Sequence, residues 1–170
     1  MIRRLTTVTE ADLDGLTDVL VDCVEGGASV SFMHPLTRER ARAFWSGVAA
    51  DVARGDRALL VADDEEGVVG TVQLGLGLPE NQPHRADLAK MLVHRRARKH
   101  GVGAALLAAA ERTAGDLGRT LLVLDTASAQ AERLYRRAGW QRVGEIPDYA
   151  LLPEGPPAPT VFYYRDVTKA

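Results

Sequence analysis

The stretch from Leu88 to Ala110, LAKMLVHRRARKHGVGAALLAAA, most constrains what this chain can fold into. Met91-Leu92-Val93 reads as the end of a buried strand, and four cations, Arg95, Arg96, Arg98 and Lys99, follow within five residues. Gly101 and Gly103 come next, and an alanine- and leucine-rich helix starts directly after them. A strand, a basic glycine-containing turn and a helix start, in that order, build an anion site. The first amides of a helix have no intrahelical acceptor and point outward as free donors. The helix dipole adds partial positive charge there, and glycine lets a phosphate come close to the backbone. Flanking arginines offer full charges and forked donors that suit phosphate oxygens. The turn is therefore expected to cradle a diphosphate.

The remaining chain alternates between helical and strand periods. Ile2 to Leu5 reads as a short strand, and Thr9 offers an N-cap with Glu10 and Asp12 in the first turn. Leu13, Leu16, Val19, Leu20, Cys23 and Val24 make one apolar helical face, which Gly26-Gly27 ends. A second helix runs from near Thr37 to about Arg54, with Ala41, Phe44, Trp45, Val48, Ala49 and Val52 turned inward. Ala58 to Ala62 is a buried strand, Asp63 to Gly67 a hairpin turn, and Val68 to Leu78 a longer strand. Gly75 and Gly77 lie inside that strand and read as packing positions. Ala86 to Val93 is the strand that feeds the central turn.

The helix Val102 to Leu117 sets Val102, Leu106, Ala109, Thr113 and Leu117 on one stripe. Thr120 to Leu124 is a buried strand, Ala129 to Ala138 a short helix, and Trp140 to Ile146 another strand. A proline-rich loop holding Pro147 and Pro159 leads to a last strand, Val161 to Val167. No repeat or linker divides the chain, so residues 1–170 are expected to form one domain. The order β-α-α-β-β-β-α-β-α-β-β predicts an α/β (α+β) fold, with a mixed, mostly antiparallel seven-stranded sheet flanked by helices on both faces.

Composition narrows the partners. A formal net charge of −2 gives no global field for nucleic acid, and the basic cluster lacks interleaved aromatics. The one cysteine, Cys23, excludes an intramolecular disulfide and sits in a helical apolar pattern, as a small core residue does. His34, His84, His94 and His100 lack metal-ligand spacing, so no metal is expected. The longest apolar run, Gly101 to Ala110, is too short to span a bilayer, and no signal peptide is evident. A cytoplasmic protein with no membrane partner is the expectation.

The spacing Arg98-x-x-Gly101-x-Gly103 resembles the acetyl-CoA signature Q/R-x-x-G-x-G/A of the GNAT superfamily of N-acetyltransferases. Lys99 stands where those enzymes usually carry another glycine. Downstream, Ala131-x-x-Leu134-Tyr135-x-x-x-Gly139-Trp140 is similar to their A-x-x-L-Y-x-x-x-G-F segment, and the element order is theirs as well. The resemblance implies that the two central parallel strands splay, and that the pantetheine arm of acetyl-CoA lies along Met91, Leu92 and Val93. The diphosphate would meet the amides of Arg98, Lys99, His100, Gly101, Val102, Gly103 and Ala104. Ser128, where many members have asparagine, and Ala131 would flank the coenzyme. Tyr135 matches the tyrosine that often protonates the departing thiolate.

An amine acceptor arrives largely as ammonium and must lose a proton before it attacks a thioester. Asp125, Gln73 and Glu145 are candidates near the cleft, and Asp125 is best placed because strand C-termini border the site. An aspartate there also serves as an N-cap for the helix at Ala129, and the sequence leaves both readings open. Segments Gly26 to Val30, Leu124-Asp125-Thr126 and Val143 to Pro147 look most like the tabtoxin-resistance acetyltransferases, which acetylate the amine of a β-lactam amino-acid toxin. Phe32, Met33 and Tyr149 would then wall a pocket for a small-molecule amine, with Glu145 or Asp125 meeting its ammonium. A protein N-terminal or lysine acetyltransferase and a non-catalytic acyl-CoA sensor are the alternatives. Members of the family often pair, so a homodimer is a further expectation of the resemblance.

Overall fold

The seven strands are β1 (Ile2–Leu5), β2 (Arg57–Asp64), β3 (Gly67–Gly75), β4 (Arg85–Val93), β5 (Leu121–Thr126), β6 (Gln141–Leu151) and β7 (Pro157–Asp166). Four helices, α1 (Glu10–Glu25), α2 (Arg38–Arg54), α3 (Val102–Asp116) and α4 (Ala129–Arg137), connect them. These come from a computed structural model that describes residues 1–169. The strands form one sheet in the order β1-β2-β3-β4-β5-β7-β6, antiparallel throughout except for the β4–β5 pair.

Local chemistry sets the helix ends. Thr9 and Asp12 form a reciprocal capping box at the start of α1, Thr37 caps α2, and Gly55 ends α2 in the left-handed conformation. The helices divide the core in two. On one face α1 and α2 bury Leu16, Leu20 and Trp45 against Leu59, Val61 and Leu92. On the other, α3 and α4 bury Leu106, Leu107, Ala110 and Tyr135 against Leu60, Val72, Leu122 and Leu124. Strand alternation produces this division, since successive side chains point to opposite faces.

The structure departs from the sequence expectation in four places. β3 stops at Gly75, because Leu76 and Gly77 turn their N–H groups to the Asp56 carbonyl at 2.8 and 3.0 Å. β5 runs on to Thr126, which places Asp125 within the strand. The buried stripe of α3 is Leu106, Leu107, Ala109, Ala110 and Ala114, with Thr113 only half-buried. Small residues there let the helix sit close on β3, where a Cβ on Gly70 would lie 3.0 Å from Leu106. The proline-rich segment is mostly sheet, with Ala150 paired to Ala158 and Leu151 to Pro157. Pro147 and Pro159 fall within the ladder irregularity between Ile146 and Ala150, where no N–H is required of them. Among the described residues no helix is long and apolar enough to cross a membrane.

Candidate active site

β4 and β5 pair only at Arg85–Leu121, Ala86–Leu122 and Asp87–Val123. Beyond those pairs the strands part: Leu124 to Thr126 bond to β7 alone, and β4 presents an unpaired edge from Leu88 onward. A bulge bends β4 at the same place. Thr71 pairs with Leu92 and Gln73 with Ala89, so Lys90 and Met91 together oppose the single residue Val72. Lys90 takes φ 51°, in the left-handed region that few lysines adopt.

After β4 the chain makes a short 3-10 turn, Arg95–Ala97, and enters α3 through Lys99 (φ 67°) and Gly101 (φ 79°). Gly101 is the N-cap of α3 and no side chain caps it. The carbonyl of Gly101 accepts from Ala105, so the amides of Val102, Gly103 and Ala104 precede the first helical bond and stay open to a ligand. The arginines do something other than the sequence suggests. The backbone N–H and Nε of Arg95 donate to Asp22 on α1 at 2.8 and 2.7 Å. Arg96 pairs with Asp64 on β2, and Arg98 Nε donates to the Val93 carbonyl at 3.0 Å. All three fasten the turn to the scaffold, since a guanidinium in a crowded turn finds carboxylates and carbonyls within reach. Val93 therefore has its carbonyl occupied, and Leu92 is buried in register with Thr71. Lys99 and His100 are exposed, and among the described residues neither has an ion-pair partner.

α4 begins at Ser128, whose Oγ accepts from the Ala131 N–H at 3.2 Å. Asp125 is thus not the cap. Its Oδ2 accepts instead from Thr160 Oγ1 at 2.7 Å. Leu122 and Leu124 point into the α3/α4 core, so Asp125 faces the α1/α2 side. Tyr135 comes from the opposite face, 4% exposed, with ring centroids 5.7 Å from Trp140 and 5.9 Å from Tyr163. Its hydroxyl makes no hydrogen bond among the described residues. Burial, and then the charge of Asp125, push its pKa up. Tyr135 and Asp125 thus lie on opposite faces of the sheet, close enough for the carboxylate charge to be felt at the phenol.

The other predicted acceptor residues are dispersed. Phe32 packs edge-on against Phe44 of α2 at 5.3 Å, while Met33 is largely exposed. Tyr149 packs edge-on against Phe162, which pairs in register with Asp125. Gln73 is fully buried, and its Oε1 accepts from Arg57 Nη1 at 2.7 Å. Glu145 lies exposed on edge strand β6, two strands from β5, and accepts from Arg142 at 3.3 Å; the structure does not bring it to Asp125. Over this side, the His34 N–H donates to the Pro153 carbonyl at 2.8 Å, joining the α1–α2 loop to the β6–β7 turn.

Residues 55–142, just over half of the chain, match the family model described as the acetyltransferase (GNAT) domain. The chain belongs to the GNAT acetyltransferase family. Among solved structures, the ribosomal-protein-alanine N-acetyltransferase of Brucella melitensis is 26% identical over 98% of this chain and 99% of its own, with a TM-score of 0.80. A GNAT phosphinothricin acetyltransferase from Sinorhizobium meliloti, solved with acetyl-CoA, is 20% identical over 98% of this chain and 87% of its own, also with a TM-score of 0.80. An aminoglycoside 6'-acetyltransferase type Ii shares the fold at 18% identity and a TM-score of 0.72, covering 98% and 97% of the two chains.

In this GNAT acetyltransferase, sequence reasoning missed Lys90. Its Nζ donates to Ser31 Oγ at 2.9 Å and lies 5.7 Å from the centre of the Phe44 ring. Burial and then Arg57 lower its pKa, while Asp125 acts to raise it. The signal was a single lysine in the mostly apolar second half of β4, and only the bulge shows which way it turns. Among the described residues, no group of His, Cys, Asp and Glu side chains is placed to hold a metal ion.

Proposed function

We propose that this acetyltransferase moves acetyl from acetyl-CoA to the amine of a small, amino-acid-like molecule. The observation that carries the reading is the separation of β4 and β5 beyond Asp87 and Val123, which leaves an open strand edge leading to the uncapped start of α3. The unpaired edge of β4 at Met91, Leu92 and Val93 fits an extended pantetheine arm. The uncapped start of α3 fits a diphosphate, with the amides from Lys99 to Ala104 as donors and Lys99 and His100 as solvent-facing side chains. Arg98 instead shapes the turn, its guanidinium being engaged at the Val93 carbonyl and its N–H at the Arg95 carbonyl. Ser128 and Ala131 border the same cleft at the start of α4. When bound, the coenzyme supplies an activated acyl thioester.

Asp125 takes the proton that the acceptor's ammonium must lose, directly or through a water molecule. Its bond from Thr160 leaves Oδ1 for that task. Tyr135 gives its phenolic proton to the departing sulfur and recovers one from the second proton that the nitrogen loses as the amide forms, so the ammonium gives up two protons, one to Asp125 and one in balance with the thiol. A raised pKa keeps Tyr135 protonated, and therefore able to donate, across the working pH range. The bond between His34 and Pro153 closes the acceptor side and favours a small substrate over an extended peptide. Likeness to the ribosomal-protein-alanine enzyme supports a second reading, acetylation of a protein N-terminus. Acetyl-CoA-dependent thiol release against amino acids, simple amines and N-terminal peptides tests both. Turnover on amino acids above peptides is expected, and the reverse order would replace the first reading with the second.

A further inference from the structure

The α1/α2 side of the cleft holds more donors than acceptors. Lys90 is half-buried, and its one hydrogen bond goes to the neutral hydroxyl of Ser31. Among the described residues no carboxylate forms an ion pair with it. Arg57 lies close enough for its charge to be felt at Lys90, and Asp51 is its carboxylate partner, at 3.1 Å. Asp51 also pairs with Arg54, so one carboxylate already serves two arginines and, among the described residues, none is bonded to Lys90.

Gln73 adds an independent sign. Arg57 only donates, so the amide atom it touches at 2.7 Å must be the oxygen, and the orientation of Gln73 is fixed. Its Nε2 is then a fully buried N–H donor with no acceptor. Buried donors are seldom left unpaired in folded proteins, and an unpaired one points to a missing partner. Gln73 sits in register with Ala89, the residue before Lys90. Ammonium, guanidinium and amide N–H all call for the same thing, an anion.

We propose that Lys90, Gln73 Nε2 and Arg57 form a carboxylate subsite, so that the acceptor is an amine that also carries a carboxylate. The inference rests on the acetyltransferase reading above and names the substrate class of that site. An amino acid entering the cleft is sorted by charge, its carboxylate to Lys90 and its ammonium to Asp125. Phe44, under the Lys90 ammonium, and Phe32 beside it face the hydrocarbon part. The left-handed backbone at Lys90 is what turns this side chain toward α2 and Ser31.

Product binding tests the proposal without turnover. The protein with CoA is titrated calorimetrically with matched pairs, N-acetyltyrosine against N-acetyltyramine and N-acetylleucine against N-isopentylacetamide. The carboxylate-bearing member of each pair is expected to bind about tenfold or more tightly, as one charge-assisted contact allows. That ratio should fall toward one in Lys90→Met, and in Gln73→Glu, which places a carboxylate in the subsite. Lys90→Arg should keep part of it. Equal affinity within the wild-type pairs, a ratio that survives both variants, or binding of neither member while CoA binds would overturn the subsite. Failure of the protein to bind CoA at all would overturn the acetyltransferase reading, and this one with it.

Discussion

The hydroxyl of Thr160 donates to Asp125 Oδ2 over 2.7 Å, so a residue of β7 fixes the carboxylate proposed as the proton acceptor. Asp125→Asn should lower kcat by about 10²–10⁴-fold, the usual contribution of a positioned general base. The rate in Asp125→Asn should then climb with pH as the acceptor deprotonates by itself. Thr160→Val, which frees the carboxylate without removing it, should cost less. Rate profiles of the three proteins on one amine decide this, and an Asp125→Asn rate that matches wild type would assign the proton to water.

Tyr135→Phe should lower kcat by about 10²–10⁴-fold through loss of the proton donor. Its effect on stability should be small, within about 0.5 kcal/mol, because no hydrogen bond to the hydroxyl is lost. The raised pKa has a second consequence. An unfolded tyrosine ionises near its ordinary value of 10.0, while folded Tyr135 stays protonated. Tyr135 therefore lowers stability as pH rises above that value, by up to about 1.4 kcal/mol per unit. Denaturant midpoints between neutral and strongly alkaline pH should fall less steeply in Tyr135→Phe.

Asp22 holds both the backbone and the side chain of Arg95, and so ties α1 to the turn between β4 and α3, the proposed diphosphate cradle. Burial works to raise its pKa, but the Arg95 hydrogen bonds and nearby His94 prevail and lower it below 3.8. A depressed carboxylate stabilises the fold above its unfolded pKa and loses that contribution as pH falls through the folded value. Stability, and coenzyme affinity with it, should therefore decline in acid below about pH 4. Asp22→Asn should cost about 1–3 kcal/mol at neutral pH and flatten that acid limb. An acid limb unchanged in Asp22→Asn would assign it to other carboxylates.

Much of this was legible in the sequence, and what was missed shares one cause. Helix ends at Thr9, Thr37 and Gly55 follow from local capping chemistry, and strand 4, the turn and helix 3 follow from local hydrophobic period. The partners of the turn's arginines do not. Asp22 and Arg95 are 73 residues apart, and Arg96 and Asp64 are 32 apart, so only the tertiary fold shows that these charges are already spoken for. Lys90 was hidden because a period-2 reading of β4 assigns it a face that the bulge then changes. That Ser128 and not Asp125 caps α4 was likewise hidden, because both residues stand just ahead of the helix and only the fold shows Thr160 holding Asp125.

Gly101 opens α3 at φ 79°, a conformation that costs other residues about 1–2 kcal/mol. A Cβ there would meet nothing within 4 Å, so Gly101→Ala tests the backbone conformation alone. A loss of about 1 kcal/mol in stability is expected, together with weaker acetyl-CoA binding. Thermal melts and coenzyme titration of this variant check both. Unchanged coenzyme affinity would mean that the start of α3 is not the diphosphate cradle.

The most direct measurement is acetyl-CoA-dependent thiol release from the wild-type protein, with and without an amino acid acceptor, preceded by thermal melts with acetyl-CoA. At about 100 times its Kd the coenzyme should stabilise the fold by about 2.7 kcal/mol. Thiol release should then depend on the amine and yield its N-acetyl derivative. A stabilised protein that releases thiol with no amine, peptide or amino acid would contradict acetyl transfer across Asp125 and Tyr135. A melting curve unmoved by acetyl-CoA would contradict the cradle at Gly101.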